Sequence, residues 1–443
     1  MIRVAVAILG VMLTLDGCVY YNSIYNAERA YAQAERDRRE GRDSLAALGY
    51  TDAVRGAAQG FRNEPEGPWA SQALFVLGRA YLRQGDQREA RLALSRARAL
   101  APERADSLRI RAFLASTAWA EGDDDQALAW ANESLAELRS GEALAEGHLV
   151  RARVLLASGA SGAGWWDLDR VIDVDPGRRV EATVERLFWA VRLDEPVRAA
   201  EAYGRLFAFS EAGARADTIS GLTRHAATQW GATQVASFLA PADTAAWARP
   251  ERDGMRLLRS ELLHGAGEEE LAIAETWAVA EGFGTGAAVA RLRLVQWAVP
   301  NIRDLAGARD LRRVLLPAAS DPRVSEALGA LDDLEFFASL GLDLPIGWFA
   351  AAEVARDRLA APRLARGLFL AYADAQPEDP WAPKALLAAL DASPDEGDRA
   401  WLRGRLSGFP ESPYVRAARG DAAPGFEMLE EQLATRLREI AVR

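Results

Sequence analysis

Few residues of this 443-residue sequence are of types that do chemistry at neutral pH, and they do not gather. The three histidines, His148, His225 and His264, show no HExxH or other paired spacing, so a zinc site, which needs several ligands converging, is disfavoured. Cys18 is the sole cysteine, which rules out an intramolecular disulfide and a cysteine-cluster metal site. Gly282-Phe283-Gly284-Thr285-Gly286 is glycine-rich and precedes a helical stretch. No strand comes before it and no lysine follows, so it reads as a helix connector and not as a phosphate-binding loop. Paired carboxylates such as Asp332-Asp333 read as solvated helix faces, and neither a G-x-S-x-G elbow nor a Walker loop is present. The expectation is a protein without enzymatic activity, metal or cofactor.

What must position the remaining residues is helix. Alanine, leucine, arginine and glutamate dominate, all good helix formers, while runs of Val, Ile and Thr are nearly absent. Half the residues are hydrophobic and 26% are charged, ample for a core. The net charge of -11 argues against nucleic-acid binding, because neutralising phosphates needs a basic surface. Cationic charge is carried almost wholly by arginine, with Lys384 the only lysine.

Residues 1–17 have the shape of a signal peptide: Arg3, then a mostly apolar run from Val4 to Leu15, then Gly17 before Cys18. The run falls short of the roughly 20 residues that a membrane-spanning helix takes. Leu15-Asp16-Gly17-Cys18 resembles the lipobox of bacterial lipoproteins, although Asp16 stands where that pattern prefers a small or aliphatic residue. The resemblance implies lipidation of Cys18 as the first mature residue. Val19 in place of an aspartate implies, by the same likeness, the outer membrane and its periplasmic face.

Residues 71–104 carry a repeat. Leu74, Leu77-Gly78, Tyr81, Ala90, Leu94, Ala97 and Pro102 stand at the offsets of a tetratricopeptide (TPR) repeat, in which small residues let two antiparallel helices approach closely. Gly85-Asp86 makes the turn and Pro102 ends the second helix. Looser copies follow, and the equivalent positions Gly78, Ala115, Ala152 and Leu187 are 37, 37 and 35 residues apart. A second repeat has the form P-E-x-P-aromatic-x-x-x-Ala: Pro65 to Ala73, Pro377 to Ala385 and Pro410 to Ala418. It predicts three equivalent joints, the first proline stopping one helix and the second opening the next.

The predicted fold is all-α, a TPR-like α-solenoid of antiparallel helical hairpins. Its parts are the signal peptide at 1–17, an N-terminal helical hairpin at 18–70, TPR repeats at 71–210, degenerate helical repeats at 211–345, and C-terminal TPR-like repeats with a capping helix at 346–443. Helices are expected at Gly254–His264, Glu268–Glu281, Ala287–Val299, Trp348–Ala360 and Phe426–Val442, with breaks at Pro241, Pro250, Pro300, Pro322 and Pro345.

The run VYYNSIYNAERAYAQAE after Cys18, the hairpin through Tyr50-Thr51-Asp52-Ala53, and Pro65-Glu66-Gly67-Pro68-Trp69-Ala70 leading into a clean repeat resemble the start of BamD-type outer-membrane lipoproteins. Those are TPR proteins that help insert β-barrels into the outer membrane. The resemblance spans about residues 18–104 and recurs in the C-terminal joints; this chain is much longer. It implies a non-enzymatic, lipid-anchored scaffold holding other envelope proteins, possible β-barrel assembly components among them, or alternatively a pilotin-like TPR adaptor of a secretion or pilus machine. Likeness to TPR proteins also implies a peptide groove on the first helix of each hairpin, lined here by Phe75, Arg79, Leu82, Arg83, Arg109, Trp119, Leu149 and Arg153. Two roles are open to its arginines: pairing with carboxylates of an extended peptide or chain terminus, or bridging to neighbouring repeats or solvent.

Overall fold

Left-handed turn residues set the spacing of the hairpins. The computed structural model describes residues 22–442 apart from Pro102; the signal segment, Cys18, Val19 and Pro102 lie outside the described residues. Within that range the structure is helical, with no strand, and the fold is all-α, built of consecutive TPR-like hairpins. Two units divide between Met255 and Arg256.

Unit 1 opens with α1 (22–39) and α2 (Asp43–Asn63). Three hairpins follow: α3 (Ala70–Gln84) with α4 (Gln87–Ala99), α5 (Arg104–Ala120) with α6 (Asp124–Glu137), and α7 (Glu142–Ala157) with α8 (Ser161–Val174). Then come α9 (Arg179–Arg192) with α10 (Pro196–Ala208), α11 (Ala216–Trp230) and the short α12 (Ala232–Phe238). Each of the four hairpin turns closes the same way, by a bond that skips back over the turn residue: Asp86 N to Tyr81 O at 3.0 Å, Asp123 N to Ala118 O at 2.9 Å, Ala160 N to Leu155 O at 2.8 Å and Glu195 N to Ala190 O at 2.8 Å. The residue inside each bond has positive φ. It is Gly85, Gly122 and Gly159 in the first three and Asp194 (φ 60) in the fourth, a position that an aspartate tolerates better than most side chains.

The seam between paired helices explains the repeat's small residues. A Cβ at Gly78 would lie 2.5 Å from Cγ of Leu94, and one at Gly164 would lie 2.6 Å from Cγ of Leu156. Leu94, Ala90 and Ala97 are wholly buried. Burying one such leucine contributes about 1.5–3 kcal/mol, which a gap at the seam would forfeit.

The division between the units falls within α13 (Arg249–Gly265). This helix begins earlier than Gly254, because Pro250 sits in its first turn, where an absent N–H costs nothing, and does not break it. Unit 2 continues with α14 (Glu269–Ala280), α15 (Thr285–Trp297), α16 (Leu305–Leu315) and α17 (Pro322–Leu340). The hairpins α18 (Ile346–Asp357) with α19 (Pro362–Ala375) and α20 (Ala382–Asp391) with α21 (Glu396–Leu406) follow, then α22 (Pro413–Ala418) and α23 (Phe426–Ala441). One apolar core runs through it from Leu257 to Ile440.

Two of the P-E-x-P joints are superimposable in their bonding. Gly67 N donates to Glu64 O and Ala70 N to Gly67 O in the first; Asp379 N donates to Gln376 O and Ala382 N to Asp379 O in the second. In the third the helix starts at Pro413 itself and the aromatic, Tyr414, is buried. There the second proline opens the helix directly, two residues earlier in the motif than in the other two joints.

Candidate functional site

Helical periodicity puts Arg79 and Arg83 one turn apart on α3, Glu142 and Glu146 one turn apart on α7, and Glu181 and Glu185 one turn apart on α9. Like charges stacked on one face need opposite charges across from them, and the chain supplies them. Arg79 Nη1 donates to Glu142 Oε2 at 2.8 Å, and Arg83 donates to Glu35 Oε1 at 2.9 Å and to Glu146 Oε2 at 3.3 Å. Arg178 bridges Glu146 and Glu181, each at 2.9 Å, with a side chain that has no exposure. Arg38 reaches Glu35 at 3.0 Å and Glu181 at 3.2 Å.

The partners on one side all come from α1. Tyr31 Oη donates to Glu142 at 2.9 Å, Glu35 accepts from Tyr50 Oη at 2.6 Å, and Arg39 donates to Asp175 at 2.9 Å. The guanidinium of Arg79 lies 4.3 Å from the centroid of Tyr31 and 4.4 Å from that of Phe75. At the end of α1 the turn presses on the segment before α11: a Cβ at Gly41 would meet Ala214, and Arg215 donates to Arg38 O at 2.8 Å. Helix α1 therefore lies along the face that α3, α7 and α9 present to it.

The network is neutral: Arg38, Arg79, Arg83 and Arg178 stand against Glu35, Glu142, Glu146 and Glu181. Burial on its own would raise the pKa of Glu35, but Arg83 and Arg38 outweigh it and hold the carboxyl down to about 2. Glu146 behaves alike, burial being opposed by Arg178 and Arg83, and is also held at about 2. Burial would likewise lower the guanidinium of Arg178, yet Glu181 and Glu146 keep it firmly charged. Each arginine of the network has a carboxylate beside it, and each carboxylate an arginine.

The other groove candidates have varied surroundings. Arg153 grips Glu185 through two bonds of 2.9 and 2.8 Å. Leu149 is buried in the interior, while Leu82 and Trp119 are half-buried against neighbouring helices. Phe75 and Arg109 line an open cleft of about 160 Å³ with Pro68, Trp69 and Ile110. There Trp69 is 44% exposed, and Arg109 keeps only a 3.6 Å contact with Asp106. Glu35, Arg38, Glu142, Glu146, Arg178 and Glu181 were not among the residues singled out by sequence; the i, i+4 doubling of arginines on α3 and glutamates on α7 is the signal that marks them.

Two of the three histidines have structural partners. His148 Nδ1 lies 2.7 Å from Asp167, which Arg151 also clasps, and His264 stacks on Trp297 with ring centroids 4.1 Å apart. Among the described residues no group of His, Cys, Asp and Glu could hold a metal ion, and no helix is long and apolar enough to cross a membrane.

No protein-family profile and no curated protein matches the chain. Among solved structures it is similar to a tetratricopeptide repeat protein from Parabacteroides merdae, at 18% identity over 60% of this chain and 98% of that one, with a TM-score of 0.34. It is also similar to PilW, a type IV pilus biogenesis factor, at 15% identity over 49% of this chain and 92% of that one, with a TM-score of 0.35.

Proposed function

We propose that the protein is a non-enzymatic scaffold that binds other proteins of the bacterial cell envelope, anchored by a lipid on Cys18 to the periplasmic face of the outer membrane. The observation that carries the binding role is the cleft at the first P-E-x-P joint. It offers Trp69 and Arg109, of the aromatic and arginine types that dominate binding energy at interfaces, outside the neutral network of unit 1, with Phe75, whose ring also meets Arg79, beside them. The anchor and the envelope rest on the residues around Cys18 and on the likeness of residues 18–104 to BamD-type lipoproteins. The service most in keeping with that likeness is outer-membrane protein assembly.

A photo-crosslinking residue at position 109, activated in intact envelopes, tests the binding role. Crosslinking to a discrete envelope protein is expected, reduced about tenfold by Trp69→Ala, the loss typical of an aromatic anchor. Recovery of the barrel-insertion protein supports assembly; recovery of a secretin ring favours the pilotin-like role instead. No discrete product from this cleft would overturn its assignment. For the anchor, Cys18→Ala should move the protein from the membrane to the soluble fraction, and unchanged membrane association would refute it.

A further inference from the structure

Unit 2 contains a cleft of about 500 Å³ that none of the residues discussed so far occupies, within the range of sites that enclose a small ligand or a few bulky side chains. Its floor is apolar. Ile273 and Trp277, one turn apart on α14, line it together with Ala298, Ile302 and Leu311. Ile302 and Leu311 are almost fully buried, so the floor is braced from behind by the unit's core, while Ile273 and Trp277 remain half-buried.

The rim carries a different chemistry. Glu269 and Glu270 stand in the first turn of α14, with Asp304 and Asp310 opposite. Two cations oppose them: Arg303, which is taken up by Glu270 at 2.5 Å, and Arg363 at the start of α19. Asp304 accepts from Gly307 N at 2.8 Å, which caps α16 without cancelling its charge. Asp310 lies 3.8 Å from Arg313, beyond hydrogen-bond reach. Among the lining residues four carboxylates stand against two guanidiniums, a surplus of negative charge that Arg313, beside Asp310 but outside the lining, offsets only in part. The face of unit 1 that receives α1 is the reverse, buried and neutral.

We infer that this cleft binds a short segment of a partner protein in which one or two bulky apolar side chains are flanked by lysine or arginine. The apolar side chain buries Ile273 and Trp277, and the flanking cations meet Glu269 and Asp310, which adds attraction and selects against acidic segments. The inference rests on the protein-binding reading above, to which it adds the chemistry of the bound segment and a second surface.

The test is fluorescence anisotropy of the full chain with labelled nonapeptides: a Leu-Phe-Leu centre flanked by arginines, the same centre flanked by glutamates, and an arginine-flanked serine centre. Saturable binding of the first is expected, at least tenfold tighter than either other peptide and weakening as salt is raised. Glu269→Arg with Asp310→Arg, both at the rim, should cost at least tenfold in affinity at unchanged helicity, whereas Glu411→Arg, away from the cleft, should cost nothing. Absence of saturable binding by the first peptide, equal binding of the glutamate-flanked one, or indifference to the rim reversal would each overturn the inference. Crosslinking from position 109 would be unaffected by any of these, so failure here and failure of the scaffold reading are told apart.

Discussion

The two units treat their polar side chains in opposite ways. Unit 1 spends eight of them on a neutral network that holds α1 against α3, α7 and α9, with Arg178 and Glu146 all but inaccessible. Unit 2 keeps most of its charges on the outside; pairs such as Arg309 with Glu335 and Arg303 with Glu270 are largely exposed, and its buried cation, Arg291, donates to the backbone carbonyls of Gly282 and Val314 and not to carboxylates. A buried network fixes register because every member must find its one partner, whereas exposed pairs constrain little. Unit 1 is thus built to hold a single arrangement, and unit 2 retains an apolar floor open to another molecule.

The sharpest way to break this contrast is Arg178→Met. It leaves Glu146 and Glu181 buried without their main counter-charge, and a loss of about 3–5 kcal/mol is expected. Denaturant unfolding should show it, and hydrogen exchange should quicken in α1, α7 and α9 while α18 to α20 keep their protection. Uniform quickening across both units would remove the distinction.

Next come two glycines that carry close contacts. At Gly347 a new Cβ would meet backbone, with Gly341 N at 2.5 Å and Phe337 O at 2.6 Å, whereas at Gly78 it meets the side chain of Leu94. Backbone cannot give way as a leucine can, so Gly347→Ala should cost about 2–3 kcal/mol and Gly78→Ala about 1–2 kcal/mol, measured by the same unfolding. The reverse order would show that unit 2 is the more yielding of the two.

Acid should separate the units further. Glu35 and Glu146 titrate at about 2 in the folded chain, against about 4.3 for an unfolded glutamate. Their contribution is whole above about pH 4.3 and is lost as pH falls toward 2. In unit 2, burial raises Glu353, and at Glu430 burial also pulls upward but is outweighed by the hydrogen bonds from Lys384 and Tyr414, which lower it, so the two oppose each other. Exchange measured between pH 5 and 2.5 should therefore open α1 before α18 to α20; simultaneous opening would count against the network as the source of the difference.

The smallest effect expected is at Lys384, whose ammonium holds Glu430 of α23 at 2.7 Å beside the bond from Trp381 Nε1 to Leu429 O. The pair is partly exposed, so Lys384→Met should cost only about 1 kcal/mol and loosen α23 alone.

Much of the architecture can be read from residue spacing. Gly78, Ala90 and Leu94 announce a close helix pair because only small residues facing a large one fit there, and Gly85 with Asp86 announces its turn. Prolines mark helix ends between residues 250 and 350, although the sequence does not say whether a proline ends one helix or begins the next, and Pro250 begins one. The arrangement of Tyr31, Glu35 and Arg38 against Glu142, Glu146, Arg178 and Glu181 is a different matter. Periodicity assigns each to a helix face, but which faces meet depends on small rotations accumulated from repeat to repeat, which no local spacing encodes. The cleft beside Trp277 was hidden for the same reason, its walls being brought together from α14, α16 and the start of α19.

The pairing of Arg38 with Glu181 and of Arg39 with Asp175 joins residues separated by 143 and 136 positions. Hairpins of a simple repeat array can fold one upon the next as they are made, each needing only its neighbour. Helix α1 must wait. At roughly 5–20 residues per second of synthesis, its counterparts on α9 appear about 7 to 30 seconds after it does. Tyr31 and Glu35 find Tyr50, Arg79 and Arg83 early, but Arg38 and Arg39 lack Glu181 and Asp175 until then, so the docking of an early helix onto a late one ends the assembly of unit 1 with a closing step.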